Sequence, residues 1–211
     1  MNESELRTEI AAERGALAAL LGALEPADWD RPSLCEGWRV REVAAHITTS
    51  YRSSGARFLW ELAKGGGRMN RVLDKMARRD AAAIPAADLH AALRDNTTHP
   101  WKPPGGGYAG ALTHDVVHGL DITVALGLER RVPQERLRVV LEGMATPRGV
   151  RYFGADLDGV RLAADDMDWS YGSGTPVTGA AQDLLMVLAG RRLPAGHLAG
   201  EHSARFAAAA G

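Results

Sequence analysis

Apolar residues recur every three or four positions through most of the chain, the period of a single helical face. Over residues 4–24, Leu6, Ile10, Leu17, Leu20, Leu21 and Leu24 follow this spacing and predict a first helix. The connector after it is punctuated by Pro26 and Pro32 and holds Trp29 and Trp38, which predicts a loop packed down on the helices. Val40, Val43, Ala44, Ile47 and Tyr51, then Phe58, Leu59 and Leu62, predict a second helix over residues 39–64. Gly65-Gly66-Gly67 should end it, because a glycine run supplies a left-handed cap and does not sustain a helix.

A third helical region spans residues 68–96, with Pro85 dividing it in two. After the breaker Pro103-Pro104-Gly105-Gly106-Gly107, residues 108–128 read as a fourth helix, apolar on most sides and therefore buried. A short helix is expected over 133–145. Beyond Thr146-Pro147 the texture changes: residues 159–163 and 168–171 read as two short strands around an acidic turn at Asp165-Asp166. Residues 176–188 read as a last helix with Pro176 in its first turn, and the alanines at 207–210 as a frayed tail. The pattern predicts a mainly α chain, with a helical bundle over residues 1–146 and a small C-terminal α+β region over 147–211.

Composition narrows the chemistry. The chain has 211 residues, with 25 Lys and Arg against 26 Asp and Glu. This balance argues against a nucleic-acid partner, because phosphate binding needs a clustered excess of cations. No run approaches the length of a transmembrane helix. The N-terminus lacks the basic start and apolar core of a signal peptide, so no membrane association and a cytoplasmic location are expected. A single cysteine, Cys35, against seven histidines excludes an intrachain disulfide and cysteine-based zinc or iron–sulfur sites. Any metal would be held by nitrogen and oxygen.

The sharpest chemical feature is His114-Asp115-Val116-Val117-His118 in the fourth helix. Residues four apart share a helical face, so both imidazoles are able to converge on one ion. His46, within the second helix, is the natural third ligand. Three neutral nitrogens on two facing helices would leave open positions, as a catalytic site requires. Asp121, three residues after His118, faces the same way and is a candidate partner, extra ligand or proton acceptor. The plainer alternative is a set of core histidines with ordinary hydrogen bonds. His90, His99, His197 and His202 are expected at the surface. Cys35, with no nearby histidine to act as base, is expected to behave as a small hydrophobe rather than a nucleophile.

The run Pro32-Ser33-Leu34-Cys35-Glu36-Gly37-Trp38-Arg39-Val40-Arg41-Glu42-Val43-Ala44-Ala45-His46-Ile47 resembles the loop-to-helix signature of the actinobacterial maleylpyruvate isomerase-like proteins of the DinB/YfiT-like superfamily. His114 through Asp121 is similar to their second metal-binding motif. Residues 159–192 are similar to their small C-terminal region. The resemblance implies a DinB-like four-helix up-down bundle holding one divalent metal, usually Zn²⁺, while a three-nitrogen site by its chemistry also accepts Ni²⁺, Fe²⁺ or Mn²⁺. It also implies mycothiol as the thiol cosubstrate. By position His46 corresponds to the first ligand, His114 to the middle one and His118 to the last. The maleylpyruvate isomerase pattern has Glu at the middle position, whereas His114 matches the three-histidine version of the wider superfamily.

Three imidazoles would leave zinc more electron-poor than two imidazoles and a carboxylate, which favours deprotonation of a bound thiol. The implied activity is thiol transfer to a small electrophile, or its cis–trans isomerisation by thiol addition, bond rotation and thiol loss. Arg52 and Arg57 are candidates to contact the thiol or substrate, with Arg78 and Arg79 also available, although each also suits a solvated helix face. Trp38 and Trp101 suit either the mouth of a pocket or core packing. Two other functions remain open: a hydrolase using metal-activated water with Asp121 or Asp115 as proton acceptor, and a catalytically silent stress-response or interaction protein. The protein is expected to be a monomer or homodimer.

Overall fold

The computed structural model describes residues 1–209, with the Arg57 side chain outside the described residues. The chain divides into two compact units, Met1–His118 and a second beginning at Gly119, so the division falls inside one long helix.

In the first unit, α1 (Glu3–Gly22) starts at a reciprocal cap: Asn2 Oδ1 accepts from the Glu5 N–H at 3.0 Å, and Glu5 Oε2 accepts from the Asn2 N–H at 2.8 Å. A 3₁₀ turn at Asp28–Asp30 buries Trp29 in the connector. Then come α2 (Val40–Arg52), α3 (Gly55–Lys64), α4 (Met69–Ala83), α5 (Ala86–Arg94) and the first part of α6 (Gly107–Leu126). Packing of α1 on α5, and of α2 on α4 and α5, buries Leu17, Leu21, Val43, Ile47, Met76, Leu89 and Leu93.

The expected second helix over 39–64 is two helices. Ser53, at φ −114 and ψ 134, leaves the helical conformation. In the preceding turn Thr48 and Thr49 donate their hydroxyls to the carbonyls of Ala44 and Ala45, both at 2.8 Å. Hydroxyl side chains that compete for backbone groups weaken a helix end, and Ser53-Ser54-Gly55 has little propensity to carry it on. The break at Pro85, between α4 and α5, is as expected.

In the second unit, α7 (Gln134–Met144) and α8 (Pro147–Phe153) precede β1 (Val160–Ala164), β2 (Ser170–Gly172) and β3 (Thr175–Gly179), then α9 (Ala181–Leu188) and β4 (Leu198–Ala199). The sheet order is β2-β1-β3-β4, with β1 and β3 parallel and the other pairs antiparallel. Helix α9 packs on β1, β3, α7 and α8 around Leu141, Leu162, Val177 and Leu185.

Three departures from expectation lie here. Residues 175–179 are a strand rather than the start of the last helix. Thr175 donates to Gly159, so by strand alternation Pro176 faces away from β1, and β4 reaches only Thr178 and Gly179. The missing N–H of Pro176 therefore forfeits no ladder bond. Helix α8, unforeseen, starts at Thr146, whose hydroxyl accepts from the Gly149 N–H at 3.0 Å. The tail is not frayed at Ala207 and Ala208: Leu193 donates to Phe206 and accepts from the Ala208 N–H. Ala210 lies outside the described residues. Among the described residues no helix is long and apolar enough to cross a membrane.

Candidate functional site

The connector and two helices of the first unit build the site. Gly37 sits at φ +73, and a Cβ there would lie 3.1 Å from Arg78 Nη2. The turn it permits delivers Trp38, whose backbone closes on Ser33 and Cys35. Directly afterwards Glu42 accepts from the Arg39 N–H at 2.8 Å and starts α2, which carries His46.

His46 from α2 and His114 and His118 from α6 converge, with one ligand-capable atom of each lying within 4.8 Å of the others. The Nε2 atoms of His46 and His114 are 3.2 Å apart. Two nitrogens sharing one tetrahedral zinc at about 2.0–2.1 Å each would stand about 3.3 Å apart, so this spacing suits a common ion. The donor set also fits: three half-buried imidazoles with no thiolate among them.

Aromatic rings surround the cluster. Trp38 lies 5.2 Å from the His46 ring and stacks at 6.5 Å on His118, while Trp101 meets His114 edge-on at 5.0 Å. Both tryptophans are thus beside the imidazoles. Trp38 Nε1 donates to Asp74 Oδ1 at 2.7 Å, and Arg78 donates to the same oxygen at 2.8 Å.

Behind His114 stands a buried charge pair. Asp115 Oδ1 is 2.8 Å from His114 Nδ1, and its Oδ2 accepts from Arg14 Nε at 2.7 Å, with both charged side chains fully removed from solvent. Arg14 was not singled out in the sequence, although a signal existed: it falls four residues after Ile10 and three before Leu17, inside the apolar stripe of α1. The Tyr51 ring lies 5.2 Å below the guanidinium. Burial, then the Asp115 charge, pushes the Tyr51 phenol far up, so this ring stays neutral.

The remaining candidates have other surroundings. Arg52 uses Nε on Thr48, Nη1 on Asp80 and Nη2 on the Ala45 carbonyl, which ties α2 to α4. The Arg57 side chain lies outside the described residues. Arg79 bonds Asp80 and Glu61. Asp121, in the second unit, is fully buried and grips Arg191 through both oxygens, at 2.7 and 2.9 Å. Neither Asp115 nor Asp121 faces solvent, which weighs against either as a base for water. The four remaining histidines are half-buried rather than solvated. His90 packs over Gly22, His197 pairs with Asp183 at 3.1 Å, and His99 Nδ1 accepts from the Trp101 N–H at 3.2 Å.

Fold and cluster together define a helical bundle that gathers three imidazoles between two of its helices. Residues 10–123 match the family described as the mycothiol maleylpyruvate isomerase N-terminal domain, and the chain belongs to that family. Its fold, a DinB-like bundle with a small sheet, is shared with a crystal structure of the mycothiol-dependent maleylpyruvate isomerase. That match has a TM-score of 0.57 and 14% identity, covering 96% of this chain and 94% of that one. A histidine-to-alanine mutant of that enzyme matches with a TM-score of 0.54 at the same identity and coverage. No curated protein sequence matches the chain.

Proposed function

We propose that the chain is a mycothiol-dependent isomerase-type enzyme acting on a small electrophile, with His46, His114 and His118 holding a divalent metal. The convergence of these three imidazoles carries the reading, and the family match over residues 10–123 supports it. A metal held by these nitrogens, Zn²⁺ first by its donor preference, would lower the pKa of a thiol enough to keep it nucleophilic at neutral pH.

The chain's own residues prepare the rest. Trp38 and Trp101 flank the imidazoles with ring surface, which limits water at the reacting centre. For isomerisation, the thiol sulfur bonds to one carbon of a cis double bond conjugated to a carbonyl, and the π electrons move to the carbonyl oxygen. Rotation about the new single bond follows. Return of those electrons expels the thiol and leaves the trans alkene, so the thiol is regenerated. If the adduct is instead protonated and released, the outcome is S-transfer.

The test combines metal analysis with turnover of maleylpyruvate in the presence and absence of mycothiol. Wild-type protein is expected to carry about one divalent ion per chain, and His118→Ala to lose it along with turnover. Conversion that ignores mycothiol, or wild-type protein without stoichiometric metal after growth in metal-replete medium, overturns the proposal. Formation of a stable mycothiol adduct in place of a trans isomer assigns S-transfer.

A further inference from the structure

The Arg14–Asp115 pair is a costly feature for a bundle to keep. Both side chains are at zero exposure, and an apolar pair of similar volume commonly packs as well or better. Its geometry gives it a use. One carboxylate oxygen is taken by Arg14 Nε at 2.7 Å, and the other lies 2.8 Å from His114 Nδ1. Arg14 Nη1 donates further to the carbonyl of His99 at 2.7 Å and to that of Thr97 at 3.4 Å. That segment leads to Trp101, whose ring packs against His114.

We infer that Arg14 and Asp115 are positioning residues that hold His114 in the tautomer with its proton on Nδ1 and aim its Nε2 lone pair at the space shared with His46 and His118. A carboxylate accepts hydrogen bonds and donates none, so the nitrogen facing Asp115 must be the one that carries hydrogen. The opposite nitrogen, 3.2 Å from His46 Nε2, is then unprotonated and available as a donor of electrons. Arg14 pins the carboxylate so that it does not rotate away. Through its carbonyl contacts the same guanidinium holds the segment that leads to the Trp101 wall. A histidine oriented by a carboxylate is a stronger and better-directed metal ligand.

This inference rests on the reading of the three histidines as metal ligands, and its first readout is independent of metal. In metal-free protein labelled with ¹⁵N-histidine, long-range ¹H–¹⁵N correlation reports which ring nitrogen carries the proton, with His114 assigned by comparison with His114→Gln. The expected result is a proton on Nδ1 in the wild type. A proton on Nε2 overturns the inference whatever the variants do. Zinc is then titrated against a competing chelator. Asp115→Asn, checked for retained helicity, is expected to bind about 10- to 100-fold more weakly and to lose the Nδ1-protonated signature. Arg14→Met is expected to weaken zinc binding as well, and Arg14→Lys, which keeps the charge, to bind more tightly than Arg14→Met. Wild-type affinity in folded Asp115→Asn overturns the inference. Should the wild type show the Nδ1 proton and yet take up no zinc, it is the metal reading that fails, and the orientation of His114 by Asp115 stands. If Asp115→Asn does not fold, the wild-type tautomer decides.

Discussion

The imidazole cluster has two walls made by different physics. Against His46 and His118 lies Trp38, an aromatic face whose one polar atom is tethered to Asp74, and both Asp74 and its other partner Arg78 stand about half in solvent. Behind His114 lies Arg14–Asp115, a charge pair with no solvent contact. Ring area tolerates small displacements, because dispersion is a sum of many weak contacts. A buried ion pair does not, because each partner alone is an uncompensated charge in a medium that solvates it poorly. The charged wall should therefore be brittle and directional, and the aromatic wall forgiving.

The largest expected effect comes from breaking the charged wall on one side only. Arg14→Met leaves the buried Asp115 charge without its cation, with only the His114 Nδ1 contact remaining, and should cost about 3–5 kcal/mol, measured as a drop in the urea midpoint at unchanged slope. For a domain whose whole stability is about 5–15 kcal/mol this is severe. Removing both partners, in Arg14→Met with Asp115→Leu, should restore much of that stability, since no lone charge remains. If the single variant loses no more than the double, the pair is not the electrostatic unit described, and the contrast between the walls disappears.

Much of the aromatic wall and of the cluster was legible in the chain. His114 and His118 share a helical face by spacing alone, His46 borders the Val43 edge of the apolar face of α2, and a tryptophan in a short connector had to be packed on something. The charged wall was harder to read because it is made by residues 101 positions apart, Arg14 and Asp115. An arginine in an apolar stripe announces itself only when its partner is known. The break at Ser53 was hidden for a related reason. Apolar periodicity continues through Phe58 and Leu62 into α3, while the interruption comes from hydroxyl competition and a glycine that periodicity does not register. At Pro176, proline near an apolar run signals a helix start, but the β-branched Val177 and Thr178 and the parallel partner β1 decide for strand. Tertiary pairing outweighed the local cue.

A milder test strikes the aromatic wall. Trp38→Phe keeps most of the ring surface against His46 and His118 and removes the Nε1–Asp74 hydrogen bond. A hydrogen bond to a charged acceptor contributes about 1.5–3 kcal/mol when well buried, and the exposure of Asp74 lowers this to about 1 kcal/mol. Zinc affinity should stay near that of the wild type, in contrast to Asp115→Asn. A Trp38→Phe protein that loses metal as severely as Asp115→Asn would show that the tryptophan directs the cluster through its polar atom, and the division between a directional and a forgiving wall would fail.

The smallest effect concerns the segment that Arg14 holds beside the charged wall, at His99 and Trp101. His99 Nδ1 accepts the Trp101 N–H and its ring packs 5.2 Å from Tyr51. Burial first, and then the Arg14 charge, lower the pKa of His99 below its ordinary value of 6.5. Because the folded state resists the proton more than the unfolded chain does, the stability this imidazole contributes is complete above pH 6.5 and declines as pH falls from there towards the lowered value. Protonation also turns Nδ1 from an acceptor into a donor, so the Trp101 amide loses its partner and should exchange faster with solvent. Comparing urea midpoints at about pH 7.5 and about pH 5.5 for the wild type and His99→Gln isolates this group from the other histidines. The glutamine carbonyl oxygen is able to accept from Trp101 at both pH values, so the variant should show the shallower decline. Equal declines, with unchanged exchange at Trp101, would place the acid sensitivity elsewhere and show that the His99 imidazole does not hold the Trp101 amide.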